Sequence, residues 1–197
     1  MFYSDLNPVG GYHFNSINFV NDFFIDKVNN YIKTQSLIKG TLNSPNSPNS
    51  DDVRNSQIHW MTAEKYKDDL IPLYNDLTTK IRQVNNNQWK LVIDGWEPFQ
   101  YTEYDESYKG HYDWHIDYLL KKPDEFISRK LSFSLGISDK NDYEGGDLVL
   151  KTAKDENIYK LDRGEIVIFP SWTLHKVTPV TKGKRRVIVG WGLGPVV

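Results

Sequence analysis

From residue 89 onward the chain is a succession of short β-rich runs, and no other feature narrows its possible folds as much. The runs are Trp89–Ile93, Pro98–Tyr104, Tyr112–Asp117, Leu131–Ile137, Asp147–Lys151, Glu165–Phe169 and Arg185–Trp191. Turn signals part them, including Glu144-Gly145-Gly146-Asp147 and Asp162-Arg163-Gly164-Glu165. Many short strands at near-regular spacing predict a mainly β protein, a sandwich or open barrel of jelly-roll type. The mouth of such a barrel is where a small-molecule site forms.

The first half reads as support for that barrel. Asn21–Lys33 carries Phe23, Phe24, Val28, Tyr31 and Ile32 at helical spacing. Asp68–Val84 repeats Leu70, Leu73, Leu77, Ile81 and Val84 every three or four residues, with Pro72 tolerable in a first turn. Between them, Asn43–Asp52 is a Pro/Asn/Ser tract that cannot feed a core and is expected as an exposed loop. With 197 residues, the expectation is one domain, residues 1–197, with helical support over about 14–86 and a jelly-roll core over about 89–193.

Composition removes several function classes. There is no cysteine, so disulfides and thiolate metal sites are excluded, and any metal must be held by imidazole, carboxylate or carbonyl groups. A formal net charge of −2 gives no reason to expect bulk attraction to nucleic acid or anionic membrane, although Lys182, Lys184, Arg185 and Arg186 form a local basic cluster. No apolar run is long enough to span a bilayer, and the first residues lack a secretory signal, so the expected location is cytoplasmic.

Four dispersed residues stand out against this background: His115 and Asp117 one residue apart, then His175, then Arg185. Two imidazoles and a carboxylate are what non-haem ferrous iron takes on one face of its octahedron, leaving other positions open. A guanidinium is a rigid fork suited to a carboxylate at the far end of a small acid. Strand alternation puts His115 and Asp117 on one face of their run. It likewise puts Arg185, Val187, Val189 and Trp191 on one face of theirs, with Arg186 opposite. His111 is expected at the rim, His59 is as readily structural, and Gly145-Gly146 reads as a tight turn rather than a phosphate cradle.

His115-Ile-Asp117, Tyr143-Glu-Gly-Gly-Asp147-Leu and His175-Lys-Val-Thr-Pro-Val-Thr-Lys-Gly-Lys-Arg185 together resemble the signature of the Fe(II)- and 2-oxoglutarate-dependent dioxygenases. More narrowly, they resemble the prolyl 4-hydroxylase superfamily and its PKHD-type hydroxylases. Arg54-Asn-Ser-Gln-Ile-His-Trp60 and Gln100-Tyr-Thr-Glu-Tyr104 extend the likeness to roughly Arg54–Leu193. The resemblance implies a double-stranded β-helix (jelly-roll, cupin-like) core. It implies Fe(II) on His115, Asp117 and His175, and 2-oxoglutarate chelating that iron with its distal carboxylate on Arg185. Tyr104 is implied as a co-substrate contact, with Tyr112 or Tyr101 as substitutes, and Trp191 as a pocket aromatic. The implied activity consumes O2, with ascorbate as reductant. It hydroxylates an unactivated C–H bond, foremost of a prolyl residue in a protein or peptide, and releases succinate and CO2. The presence of Asp117 favours hydroxylation over halogenation. The competing readings are a nucleic-acid or small-molecule oxygenase of the same cofactor class, and a non-catalytic metal-binding jelly roll. Substrate and oligomeric state are not encoded in any motif.

Overall fold

The computed structural model describes residues 12–42, 50–62, 70–118, 126–152 and 155–196. In chain order these form β1 (Phe14–Ser16), α1 (Asp22–Ile32), β2 (Ile38–Lys39), α2 (Ser50–Val53), β3 (Arg54–Asn55), β4 (Gln57–Met61), α3 (Ile71–Gln88), β5 (Gly95–Trp96), β6 (Phe99–Asp105), β7 (His111–His115), β8 (Ile127–Gly136), β9 (Tyr143–Gly145), β10 (Leu148–Thr152), β11 (Asp155–Tyr159), β12 (Ile166–Pro170), β13 (Leu174–Val177) and β14 (Val180–Pro195). Two antiparallel sheets result. The larger runs β1-β12-β8-β14-β6-β4-β2, with β5 and β9 also pairing β14, and the smaller runs β11-β10-β13-β7-β3. This is the mainly β, jelly-roll architecture that the strand spacing predicts.

Alternation along single strands separates two cores. Ile166 and Ile168 of β12 face the helices, packing with Phe24, Ile25, Val28, Leu77 and Ile81 of α1 and α3. Val167 and Phe169 face the other way, packing with Leu148 and Leu150 of β10 and Val177 of β13 in the space between the sheets. A strand buried on both faces reads as a continuous apolar run, as Ile166-Val-Ile-Phe169 does. Each fully buried aliphatic side chain contributes about 1.5–3 kcal/mol relative to exposure.

The helices begin and end for identifiable reasons. Asn21 caps α1 by accepting from the Phe24 N–H at 3.0 Å, a contact worth about 1 kcal/mol. Arg163 holds the same helix from the β11–β12 turn, donating to Asp22 at 2.8 Å and Asp26 at 2.7 Å. Helix α3 carries Pro72 in its first turn and runs to Gln88, past the expected end at Val84. The expected strand Trp89–Ile93 is therefore a connection. Lys90 takes a left-handed φ of 55°, and the Asn85 side chain bonds both the N–H and the C=O of Leu91. Strand propensity there yields to a helix terminus.

Other expectations are met with shifted bounds. The Arg185–Trp191 run is the middle of β14, which spans Val180–Pro195. Strand β8 starts at Ile127, ahead of the expected Leu131, and ends at Gly136. Of the expected Asn43–Asp52 loop, residues 43–49 lie outside the described ones, and Ser50–Val53 is a helical turn. Gly145 and Gly146 have φ of 68° and 63°, as a tight turn requires.

Candidate functional site

The smaller sheet builds one side of the site. Strands β7 and β13 pair antiparallel with His115 directly opposite His175, so their imidazoles stand as a cross-strand pair with ring centroids 4.1 Å apart. Each imidazole is oriented by a backbone carbonyl. His115 Nδ1 donates to Asp113 O at 2.7 Å and His175 Nδ1 to Thr173 O at 2.9 Å. Both Nε2 atoms are then the lone-pair nitrogens and point at Asp117. His115 Nε2 lies 3.8 Å from Asp117 Oδ1, and His175 Nε2 lies 3.5 Å from Oδ2.

Asp117 converges by a different route from the expected one. Strand β7 ends at His115, so strand alternation does not place the carboxylate. Instead the Asp117 and Tyr118 N–H groups both donate to Ser171 O at 2.9 Å, tying this segment to the β12–β13 turn. The donor atoms of His115, Asp117 and His175 all lie within 4.8 Å of one another, close enough for one ion. Burial pushes the His115 imidazole well below its ordinary value of 6.5, and neighbouring His175 adds to this. Burial alone would raise the Asp117 carboxyl, but His175, His115, Arg129 and the Trp191 N–H together hold it low. His115 therefore presents a neutral imidazole and Asp117 an ionised carboxylate, the protonation states a divalent cation needs.

The larger sheet supplies the facing wall. On β14, Arg185, Val187 and Trp191 are buried, and Arg185, Val189 and Trp191 line the recess that the triad opens into. Arg186 faces outward to Glu103, as alternation predicts. Arg185 is 1% exposed, and its Nε and one terminal nitrogen have no hydrogen-bond partner among the described residues. A buried guanidinium so placed is costly unless an acid meets it, and two free donors on a planar fork match a carboxylate. That orphaned fork, opposite a triad of two imidazoles and one carboxylate, fits a dicarboxylic co-substrate shared with Fe(II).

The predicted contacts divide among themselves. Tyr104 is the register partner of Arg185 on β6, its ring 5.3 Å from the guanidinium, and it lines the recess. Tyr112 also lines it but stacks on His115 at 3.5 Å. Tyr101 points to the helix-side core and is out of reach. Trp191 sits beside the metal triad, bonding Asp117, its ring 3.7 Å from the Arg129 guanidinium and 5.9 Å from Trp60. His111 is held by Lys109 O and Asp52 O, and His59 by Tyr31 and Ser36 O, so both are structural. Sequence reasoning gave no role to Arg54 or Gln100, which also line the recess. The Arg54–Trp60 and Gln100–Tyr104 segments of the resemblance were the available signal.

Comparison with known proteins agrees with this geometry. The model of the 2OG-Fe(II) oxygenase superfamily matches residues 99–192. A PKHD-type hydroxylase of Gloeothece citriformis is 49% identical over 80 residues, covering 41% of this chain and 36% of that protein. The chain thus matches a little over a third of the length of such curated relatives. A Pseudomonas putida prolyl-4-hydroxylase superposes with a TM-score of 0.73 at 17% identity, covering 92% of each chain. A Trichoplax adhaerens prolyl hydroxylase, solved with a hypoxia-inducible-factor peptide, gives 0.72 at 19% identity, covering 92% of this chain and 83% of that one. At such identities the structural likeness speaks for the fold.

Proposed function

We propose, from the match of residues 99–192 to the 2OG-Fe(II) oxygenase superfamily, that this chain belongs to that superfamily and hydroxylates an unactivated C–H bond, foremost that of a prolyl residue, with 2-oxoglutarate and O2 as co-substrates. The observation that carries the reading is the orphaned Arg185 fork buried across the recess from the His115–Asp117–His175 cluster. The prolyl assignment is supported by the names of the PKHD-type relatives and of the prolyl hydroxylases that share the fold.

In this reading His115, Asp117 and His175 hold the iron, and the backbone carbonyls of Asp113 and Thr173 fix the orientation of both imidazoles. Bound iron supplies oxygen activation coupled to decarboxylation of 2-oxoglutarate to succinate and CO2, with ascorbate restoring the ferrous state. Arg185 binds the distal carboxylate of 2-oxoglutarate, and Tyr104 borders that end of the recess. Trp191 positions Asp117 through its N–H, so its removal loosens a metal ligand. Val187 and Leu148 keep the inner wall apolar and limit water near the reacting centre.

The test is direct. Fe(II)-loaded protein with 2-oxoglutarate and prolyl peptides should form succinate and add sixteen daltons to the peptide. His115→Ala and Asp117→Ala should lose metal binding and turnover together. Metal-dependent binding of 2-oxoglutarate with no oxygen uptake under any substrate pool would overturn the oxygenase reading.

A further inference from the structure

The recess holds a second buried cation. Arg54, on β3, is 8% exposed and lines the same cavity as the triad and Arg185. Its Nε donates to Ser56 Oγ at 2.9 Å and one terminal nitrogen donates to Gln100 Oε1 at 2.8 Å. Its guanidinium lies 4.9 Å from the Tyr112 ring, which in turn stacks on His115. All these partners are neutral. No carboxylate among the described residues forms an ion pair with Arg54, whereas Arg129, near the same wall, is matched by Glu97.

Neutral acceptors solvate a guanidinium but do not cancel its charge, and burial makes the remainder expensive. The co-substrate cannot cancel it either. On the reading above, one carboxylate of 2-oxoglutarate is on the metal and the other on Arg185. The register also separates the two arginines. Arg185 pairs with Tyr104, whereas Arg54 bonds Gln100 four residues along β6. The ferrous charge and that of Arg185 are balanced by Asp117 and the two carboxylates of 2-oxoglutarate. Among the described residues that line the recess, Arg54 is the cation left over.

We infer that Arg54, with Gln100 beside it, is the anchor for a carboxylate of the hydroxylated substrate. The substrate is then an amino acid derivative or the C-terminal residue of a peptide, bearing its carboxylate near the reacting carbon. An internal residue of a polypeptide offers only a neutral carbonyl at that place. The inference rests on the proposed oxygenase reading and narrows its substrate class. Arg54 acts as a specificity determinant, one aromatic ring removed from a metal ligand.

The test uses Mn(II)-loaded protein with 2-oxoglutarate, which binds without turning over, titrated calorimetrically. The probes are N-acetyl-L-proline and a pentapeptide ending in proline, each as free acid and as amide. At least one acid should bind ten-fold or more tightly than its amide, and which one does separates the single-residue source from the peptide terminus. Arg54→Met, which keeps the packing on Tyr112, should abolish that preference while leaving 2-oxoglutarate affinity within about two-fold. Arg54→Lys, which keeps the charge, should retain a weakened preference and serves if the Met variant does not fold. Equal binding of acid and amide, no binding of either, or a preference that survives Arg54→Met overturns the inference. Failure of the wild-type Mn(II) protein to bind 2-oxoglutarate would instead overturn the oxygenase reading beneath it.

Discussion

Arg185 combines near-complete burial with two nitrogens unpaired among the described residues, and on the proposed reading this makes it both a binding device and a burden on the ligand-free fold. Arg185→Met should weaken 2-oxoglutarate binding about a hundredfold, because a bidentate charge-assisted pair is worth roughly 3 kcal/mol. The same variant should unfold in urea at a midpoint no lower than that of the ligand-free wild type, since it removes an uncompensated buried charge. His115 gives the opposite kind of prediction. Its folded-state imidazole is held well below 6.5, so below that pH the unfolded chain takes up a proton that the folded chain refuses. Stability of the metal-free protein should therefore fall as pH drops from 7 to 5, and His115→Gln should flatten that slope in urea titrations. At this scale the sequence was largely legible, because His115, Asp117, His175 and Arg185 carry chemistry that few other residue sets carry. Arg54 was not, since a lone arginine ahead of a Ser and a Trp gives no hint of its neutral surroundings.

Strand alternation read the β14 wall correctly, placing Arg185, Val187 and Trp191 inside and Arg186 outside. It gave the right result for Asp117 by the wrong route, because an N–H pair on Ser171 O, rather than strand geometry, turns that residue inward. Contacts that cross between a strand end and a distant turn leave no periodic trace in sequence. Strand β13 was missed for a related reason: it has only four residues, and its partner β7 defines it more than its own composition does. Gly183 shows what β14 requires ahead of Arg185. Its φ is 71°, and a Cβ there would meet Asp142 O at 2.0 Å. Gly183→Ala should cost about 2 kcal/mol or more in chemical denaturation and should weaken 2-oxoglutarate binding by shifting the register that positions Arg185.

At the scale of the molecule, no helix residue among the described ones lines the recess, yet α1 and α3 back the sheet that does. Leu77 and Ile81 of α3 are fully buried against the outer face of the larger sheet. Leu77→Ala should cost about 2–5 kcal/mol, measurable as a lowered urea midpoint, with metal affinity unchanged while the protein remains folded. Sequence periodicity disclosed this two-layer support but not the order in which the strands are woven, which depends on pairings across long separations. The opposition of His115 and His175 on neighbouring strands carries one more consequence. A strand pair offset by a single step would swing one ring to the far side of the sheet, leaving a chain that looks folded but has lost the cluster. On the proposed reading, uptake of a cation would double as a proofreading signal that the smaller sheet has zipped in its proper alignment.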